Sequence, residues 1–503
     1  MSDRPQLNTD AALTQRLGAA AQVLLGTMAG EGGELDSATT LERLVRHAKS
    51  TLDREQIWLL YVAVCATLPT PDEVMEAVRQ FELADEIGAT LWLLDTGLAA
   101  TRRHGSAAFT LDIVCNGVVV ETDFSARHNL HTGIQRVVRA TMPIWHRDHD
   151  IMPVVWTQTQ GALRRLTEDE QHRLLNWSGV HAGADLDTGP TSLVVPWQSV
   201  LALVEVPARS TCAQLTALAR FTSNRVVAIG YDCIPVVSAD LVPMAEPNRF
   251  VHYLEVLKYS RRVAGISASA TAEFDGFAHM LPAQGLPGPT VVECALPVDT
   301  SSKHESEPLA DDGEPLVLCV GSVEPRKNHL AVLYAAEVLW REGLTFQLRF
   351  IGGGGWGNAF GKRLRRLRAA GRHVQSDTAV SELELAAAYR RARFTVFASV
   401  HEGYGLPVAE SLAFGVPAIT TDYGSTREIG ADGGVALVDP RDDDDIVRAM
   451  RRLLTDDRHL ATLQAEIVRR PRRTWEDYAA ELWTVLVASE LATLRVQSAG
   501  VPA

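Results

Sequence analysis

The 503-residue sequence has no paired-cysteine framework, no long apolar run and no excess of positive charge. Cys65, Cys115, Cys212, Cys233, Cys294 and Cys319 are scattered, mostly inside apolar runs, with no C-x-x-C pair and no Cys/His cluster. That pattern excludes a disulfide scaffold, argues against a structural zinc, and predicts buried free thiols in a reducing compartment. The longest apolar stretch, Ile57 to Leu68, falls short of the roughly 20 residues that a membrane-spanning helix needs. The N-terminus, MSDRPQLNTD, carries no apolar signal core. A cytoplasmic protein is expected, with peripheral membrane contact left open. Lys and Arg total 48 against 62 Asp and Glu, a formal charge of −14. A chain that coats nucleic acid needs clustered cations instead. The balance still allows a local basic pocket for one diphosphate.

What is present is the composition of a folded globular protein, 46% hydrophobic and 22% charged. The length calls for roughly two to four domains. Residues 1–108 read as helical and separate from the rest of the chain. Leu13, Leu17, Ala20, Val23 and Leu24 recur at helical spacing, as do Leu41, Leu44, Val45 and Ala48. A further helix opens at Thr70-Pro71-Asp72 and covers Glu73 to Leu83. No chemistry-bearing motif falls here, so this part is read as a packing or partner-binding accessory domain.

From about residue 110 strands and helices alternate. Leu111 to Val120 is β-rich and Ile134 to Trp145 helical; strand-like runs follow at Met152–Trp156, Leu193–Trp197, Val226–Ile229 and Val263–Ile266. Residues 301–314 (SSKHESEPLADDGE) read as an acidic hinge. A second alternating unit begins beyond it. Its strands are expected at Leu316–Val320, Phe346–Ile351, Phe394–Phe397 and Pro417–Thr421, with a helix over Leu330–Trp340. Two such units, each a parallel sheet covered by helices, imply a cleft with ligands beyond the carboxyl ends of the strands.

The segments after two strands carry the chemistry. GSVEPRKNHL places Arg326 and Lys327 at the end of strand 316–320, with Asn328 as the expected N-cap of the next helix. Two cations beside free backbone N–H groups suit a diphosphate; a solvated basic turn is the competing reading. HEGYGLPVAESLAFG follows strand 394–397. Gly403 and Gly405 permit close backbone approach, Pro407 suits the first helical turn, and no side-chain oxygen precedes it to cap the helix. Glu402 and Glu410 then make sense as acceptors of sugar or ribose hydroxyls, although Glu410 taken alone is better read as a helix-dipole partner. Gly352 to Gly355 reads as a flexible loop after a strand, and Asp442 to Asp445 as helix-dipole partners rather than metal ligands.

HEGYGLPVAESLAFGVPAITT closely resembles the E-x7-E region of family-four retaining glycosyltransferases, which adopt the GT-B fold. VGSVEPRKN, SELELAAAYRRARFTVFAS and REIGADGGVALVDP resemble its flanking segments, DFSARHNLHTGIQRVVRA the glycine-bearing loop of its mannosyl- and rhamnosyltransferase-like branch. The similarity covers about residues 110–485. It implies an α/β chain of two Rossmann-like domains facing across a cleft, preceded by an α-helical domain. The expected divisions are 1–108 (helical), 109–307 (acceptor side), 308–485 (nucleotide-sugar side) and 486–503 (C-terminal helix or tail).

Residue by residue, the resemblance implies that Glu410 binds ribose and Glu402 the transferred sugar. Gly403, Tyr404, Gly405 and Leu406 would meet the diphosphate through their backbone, and Lys327, helped by Arg326, would neutralise the leaving phosphates. Gly133 would let the N-terminal loop close, and Asp232 would face donor sugar or acceptor. Two positions depart from many relatives: Ser322 where Arg is common, and Tyr231 where His is common before Asp232. The implied function is hexosyl or deoxyhexosyl transfer, best read as mannose from GDP-mannose, to a glycan or lipid-linked hydroxyl in surface polysaccharide synthesis. A dTDP-rhamnose or UDP-sugar donor is the alternative, and a non-catalytic sugar-nucleotide-binding scaffold the alternative of another class. No cofactor and no metal are expected, nucleic acid is not expected as a partner, and a protein partner through residues 1–108 is left open.

Overall fold

Two parallel sheets face each other in the computed structural model, which describes residues 9–26, 36–178, 191–298, 313–355, 358–378 and 380–499. The N-terminal sheet contains β1 (Thr110–Cys115), β2 (Val118–Glu121), β3 (Met152–Trp156), β4 (Leu163–Arg165), β5 (Ser192–Trp197), β6 (Val200–Leu203), β7 (Arg225–Gly230), β8 (Arg262–Gly265) and β9 (Thr290–Glu293). Their order is β1-β5-β4-β3-β2-β6-β7-β8-β9. Among these strands only β4 runs antiparallel to its neighbours, β3 and β5. The β-rich run expected over 111–120 breaks at Asn116, whose φ of 54° turns the chain. Its halves part company: β1 pairs with β5 at one side, while β2 lies between β3 and β6.

The second sheet contains β10 (Leu316–Val320), β11 (Gln347–Ile351), β12 (Val374–Asp377), β13 (Ala392–Phe397), β14 (Ala418–Thr421) and β15 (Val435–Val438). Their order, β12-β11-β10-β13-β14-β15, is the doubly wound arrangement, with its switch point between β10 and β13. β10 is buried along most of its length, as a central strand covered on both faces must be. The expected hinge lies outside the described residues except for Gly313 and Glu314.

The helical N-terminal part is not a detached unit. Leu17, Leu44 and Trp58 belong to the same apolar core as Leu111, Val119 and Val154 of the first sheet. Arg16 stitches the junction, its guanidinium donating to the carbonyls of Ala63, Ala107 and Phe109. The helices and the first sheet share one continuous core, so the sheet forms one side of it. At the other end, helix Trp475–Leu482 runs on through a π-helical segment into Ser489–Ala499. This run crosses to the N-terminal half. Trp145 donates its indole N–H to the Ala479 carbonyl at 2.9 Å, and Arg262 pairs with Glu490 at 2.8 Å.

The described cysteines are all free, and Cys115 is exposed where a buried thiol was expected, because it ends an edge strand. Among the described residues no helix is long and apolar enough to cross a membrane.

Candidate functional site

Lys327 and Glu402 sit just beyond β10 and β13, on either side of the switch point. Their loops are stitched together: Val400 N–H donates to the Arg326 carbonyl at 2.7 Å, and Arg326 Nη1 donates to the His401 carbonyl at 3.2 Å. One carboxylate oxygen, Glu402 Oε1, lies 2.6 Å from Lys327 Nζ and 2.7 Å from Arg326 Nη1. Burial alone would raise the Glu402 carboxyl, but Lys327 and Arg326 more than offset it and hold it at about 2. Burial pulls the Lys327 ammonium down, and the carboxylate it shares with Arg326 offsets that only in part. The ammonium also lies 4.7 Å from the centre of the Phe397 ring. Ser322 hydrogen-bonds Glu324, and Arg326 Nε reaches the same Glu324 at 2.9 Å.

Asn328 does not cap the following helix as expected. Its backbone is left-handed (φ 56°) and its amide instead donates to the Pro440 carbonyl at 2.7 Å. The tight turn that delivers Arg326 and Lys327 to the cleft consumes the position a cap would need.

Helix Leu406–Ala413 begins after Gly405, whose φ of 109° is closed to ordinary side chains, and no side chain caps it. Gly403 is required for a different reason. A Cβ there would stand 2.2 Å from the Tyr231 carbonyl oxygen on the opposite domain. The loop is fixed on both sides: Ser267 donates to the Gly403 carbonyl at 2.6 Å and Ser425 to the Glu402 carbonyl at 2.8 Å. Tyr404 turns its side chain into the core, where its hydroxyl donates to Leu296 O at 2.8 Å.

Glu410 is buried on this helix and accepts from the Tyr389 hydroxyl at 2.9 Å. Its other oxygen is ion-paired with Arg136 of the N-terminal domain. Arg136 lies in the first turn of helix Gly133–Asp148, which also lacks a side-chain cap. Gly133, at its start, faces Leu406: a Cβ there would lie 3.4 Å from the Leu406 side chain. Two uncapped helix N-termini therefore meet at the cleft. Beside them lies a cavity of about 400 Å³ lined by Glu410, Arg136, Arg139, Trp177 and Trp475, among others.

Asp232 follows β7 and faces the same place; the Cβ that Gly403 lacks would come 3.1 Å from its carboxylate. Burial raises the Asp232 carboxyl to about 6, with Arg326 pulling the other way. Tyr231 turns its hydroxyl into the core, where it donates to Val204 O at 2.7 Å.

Arg136, Tyr389 and the group that locks the domains together were not anticipated from the sequence. His401 Nδ1 lies 2.7 Å from Ser238 Oγ and its Nε2 lies 2.5 Å from Glu273 Oε1. The other oxygen of Glu273 accepts from Cys233 N–H at 2.6 Å, next to Asp232. Glu428 accepts from the backbone N–H groups of Ala268 and Ser269, both at 2.8 Å, at the start of helix Ala268–Met280. The histidine beside Glu402 and the Arg of TGIQR were legible as residues, but their partners are far away in sequence. The run Gly352–Gly355 is not a free loop: it is pressed against Gly321 and bridged to Val323. Asp442 caps helix Asp443–Thr455, and Asp443 to Asp445 fill its first turn, as expected.

Two α/β domains of this kind, closed over a cation-rich switch point, define the GT-B class. Residues 301–470 match the family model described as glycosyl transferases group 1. The chain has the GT-B fold, and its C-terminal unit is similar to the group 1 glycosyl transferases. It is 26% identical over 355 residues to the serotype-specific mannosyltransferase WbdA of Escherichia coli, covering 66% of this chain and 42% of that protein. The O-antigen chain mannosyltransferase B of Escherichia coli is 30% identical over 163 residues, 32% of this chain and 42% of that protein. The chain spans less than half the length of these curated relatives. Among solved structures, the catalytic domain of starch synthase IV from Arabidopsis thaliana, bound to ADP and acarbose, superposes with a TM-score of 0.50 at 11% identity. That match covers 75% of this chain and 99% of the other, and it is a likeness of fold.

Proposed function

We propose that the protein is a retaining glycosyltransferase that takes a hexosyl group, mannose from GDP-mannose as the best reading, from a nucleotide diphosphate. The acceptor is a hydroxyl of a glycan or lipid-linked glycan in surface polysaccharide synthesis. The observation that carries this reading is the sharing of Glu402 between Lys327 and Arg326 beside the uncapped start of helix Leu406–Ala413. The mannosyltransferases to which the chain is similar support the choice of sugar.

In this reading the diphosphate lies against the N–H groups of Gly405 and Leu406, where the helix dipole favours negative charge. Breaking the anomeric C–O bond leaves charge on the β-phosphate. Lys327 and Arg326 meet it there as fixed charges in a water-poor site, where they act most strongly. They supply this charge as protein groups, without a metal. Glu402, held ionised, accepts from hydroxyls of the transferred sugar, and Glu410 from the ribose. Asp232 faces the sugar from the other domain and fixes it for attack on the face the leaving group departs from. The acceptor oxygen bonds the anomeric carbon on that face while its proton passes to the departing phosphate oxygen, and holding the hydroxyl there lowers the barrier further.

A thermal-shift screen with GDP, UDP, dTDP and their sugars tests the reading, since a ligand bound to the native state raises its stability. Stabilisation by GDP and GDP-mannose is expected. No shift with any nucleotide would contradict the assignment, and a shift confined to dTDP or UDP would replace the donor.

A further inference from the structure

Helix Glu86–His104 has two apolar faces. The inner one, Ala89, Leu93 and Gly97, is buried, and Gly97 lies so close to Val64 that a Cβ would come 2.9 Å from its side chain. The outer one is open: Ile87, Leu91 and Leu98 are 71, 58 and 57% exposed. Leu83, which ends the preceding helix, is 83% exposed beside them. Single exposed leucines need no explanation, but an aligned set does. With Leu94, which is half-buried and also packs against the inner core, the residues on this side fall at 87, 91, 94 and 98. The steps of four, three and four are those of a two-helix seam. At 1.5 Å per residue the stripe is about 17 Å long.

The charge along this helix says what covers the stripe. Its start is acidic, with Glu82 at the end of the preceding helix, the cap Asp85 and Glu86, and its end is basic, with Arg102 and Arg103. All five are exposed, and Glu86 makes a surface pairing with Arg46 at 3.3 Å. Two copies of the helix laid antiparallel about the middle of the stripe set Ile87 against Leu98 and Leu91 against Leu94. The same arrangement brings the acidic end of each over the basic end of the other. A two-fold interface must be self-complementary in this way. An anionic membrane surface would be repelled by the acidic half.

We infer that the outer face of helix Glu86–His104 is a homodimer interface, formed by antiparallel pairing with the same helix of a second copy. The inference is independent of the reading of the cleft.

Sedimentation equilibrium of the full chain tests it. The wild type should show a concentration-dependent monomer–dimer equilibrium. Leu91→Glu, at an exposed position that leaves the fold intact, should weaken it by about 30-fold or more, the loss typical of an interface hot spot. A charge exchange checks the antiparallel geometry. Arg102→Glu/Arg103→Glu and Glu82→Lys/Glu86→Lys should each be monomeric alone, because both ends then carry one sign. Mixed in equal amounts they should form a heterodimer. A wild type that stays monomeric at its solubility limit would overturn the inference, as would a dimer indifferent to Leu91→Glu. So would a mixture that fails to pair, or a monomer that floats with lipid vesicles through this face.

Discussion

Glu273 and His401 join the two domains across the cleft, with Nε2 and Oε1 2.5 Å apart. Burial pulls the imidazole down, but the hydrogen bond and charge of Glu273 outweigh it and leave it above its ordinary 6.5. A histidine raised on folding contributes stability that is complete below its unfolded value and fades as pH rises through the folded one. Glu273→Gln keeps an acceptor for Cys233 N–H but loses the charged pair. It should cost about 1.5–3 kcal/mol below pH 6.5, the range for a hydrogen bond to a charged group. The difference from wild type should shrink at alkaline pH. Urea unfolding at a series of pH values measures it, and a pH-independent difference would mean that His401 is not charged in the pair.

Under the proposed function, Asp232 gives the reaction its own pH dependence. Its carboxyl is raised to about 6 by burial, so it is neutral below that pH and ionised above. If it holds a sugar hydroxyl as a carboxylate, kcat/KM should fall as pH drops below 6. Asp232→Asn should be slow throughout and should lack this limb. A limb that survives in Asp232→Asn belongs to another group.

Glu410 already has two partners, Arg136 and Tyr389. Under the proposed function it holds the ribose, a contact made equally in ground and transition states, so its loss raises KM and leaves kcat. Glu410→Ala should raise the donor KM about tenfold, in line with the loss of a hydrogen bond to a charged acceptor. Tyr389→Phe should have a smaller effect of the same kind. Nucleotide affinity unchanged in Glu410→Ala by calorimetry would remove the ribose role.

Much of this site could be read in the sequence because its parts are local. Lys327 follows β10 by a few residues, Glu402 follows β13, and Glu410 lies on the helix that begins at Leu406. Strand periodicity and the Gly-rich turns are enough to place them. The partners across the cleft are of a different kind. Arg136 meets Glu410, Glu273 meets His401 and Glu428 caps Ala268, all through tertiary packing that no short window contains. Asn328 failed as a cap because the turn presenting Lys327 forces it into a left-handed conformation. The N-terminal helices looked independent because their pattern shows which faces are apolar, not that the first sheet completes their core.

Lys327 tests the central claim most directly. Its Nζ is 2.6 Å from Glu402 and it is buried at the switch point; under the proposed function, substitution removes charge aimed at the departing phosphate. With the donor selected by the nucleotide screen, steady-state sugar transfer by wild type and Lys327→Ala should differ in kcat/KM by about 10²–10³. Circular dichroism would show both folded. Near-normal transfer by a folded Lys327→Ala would contradict the account.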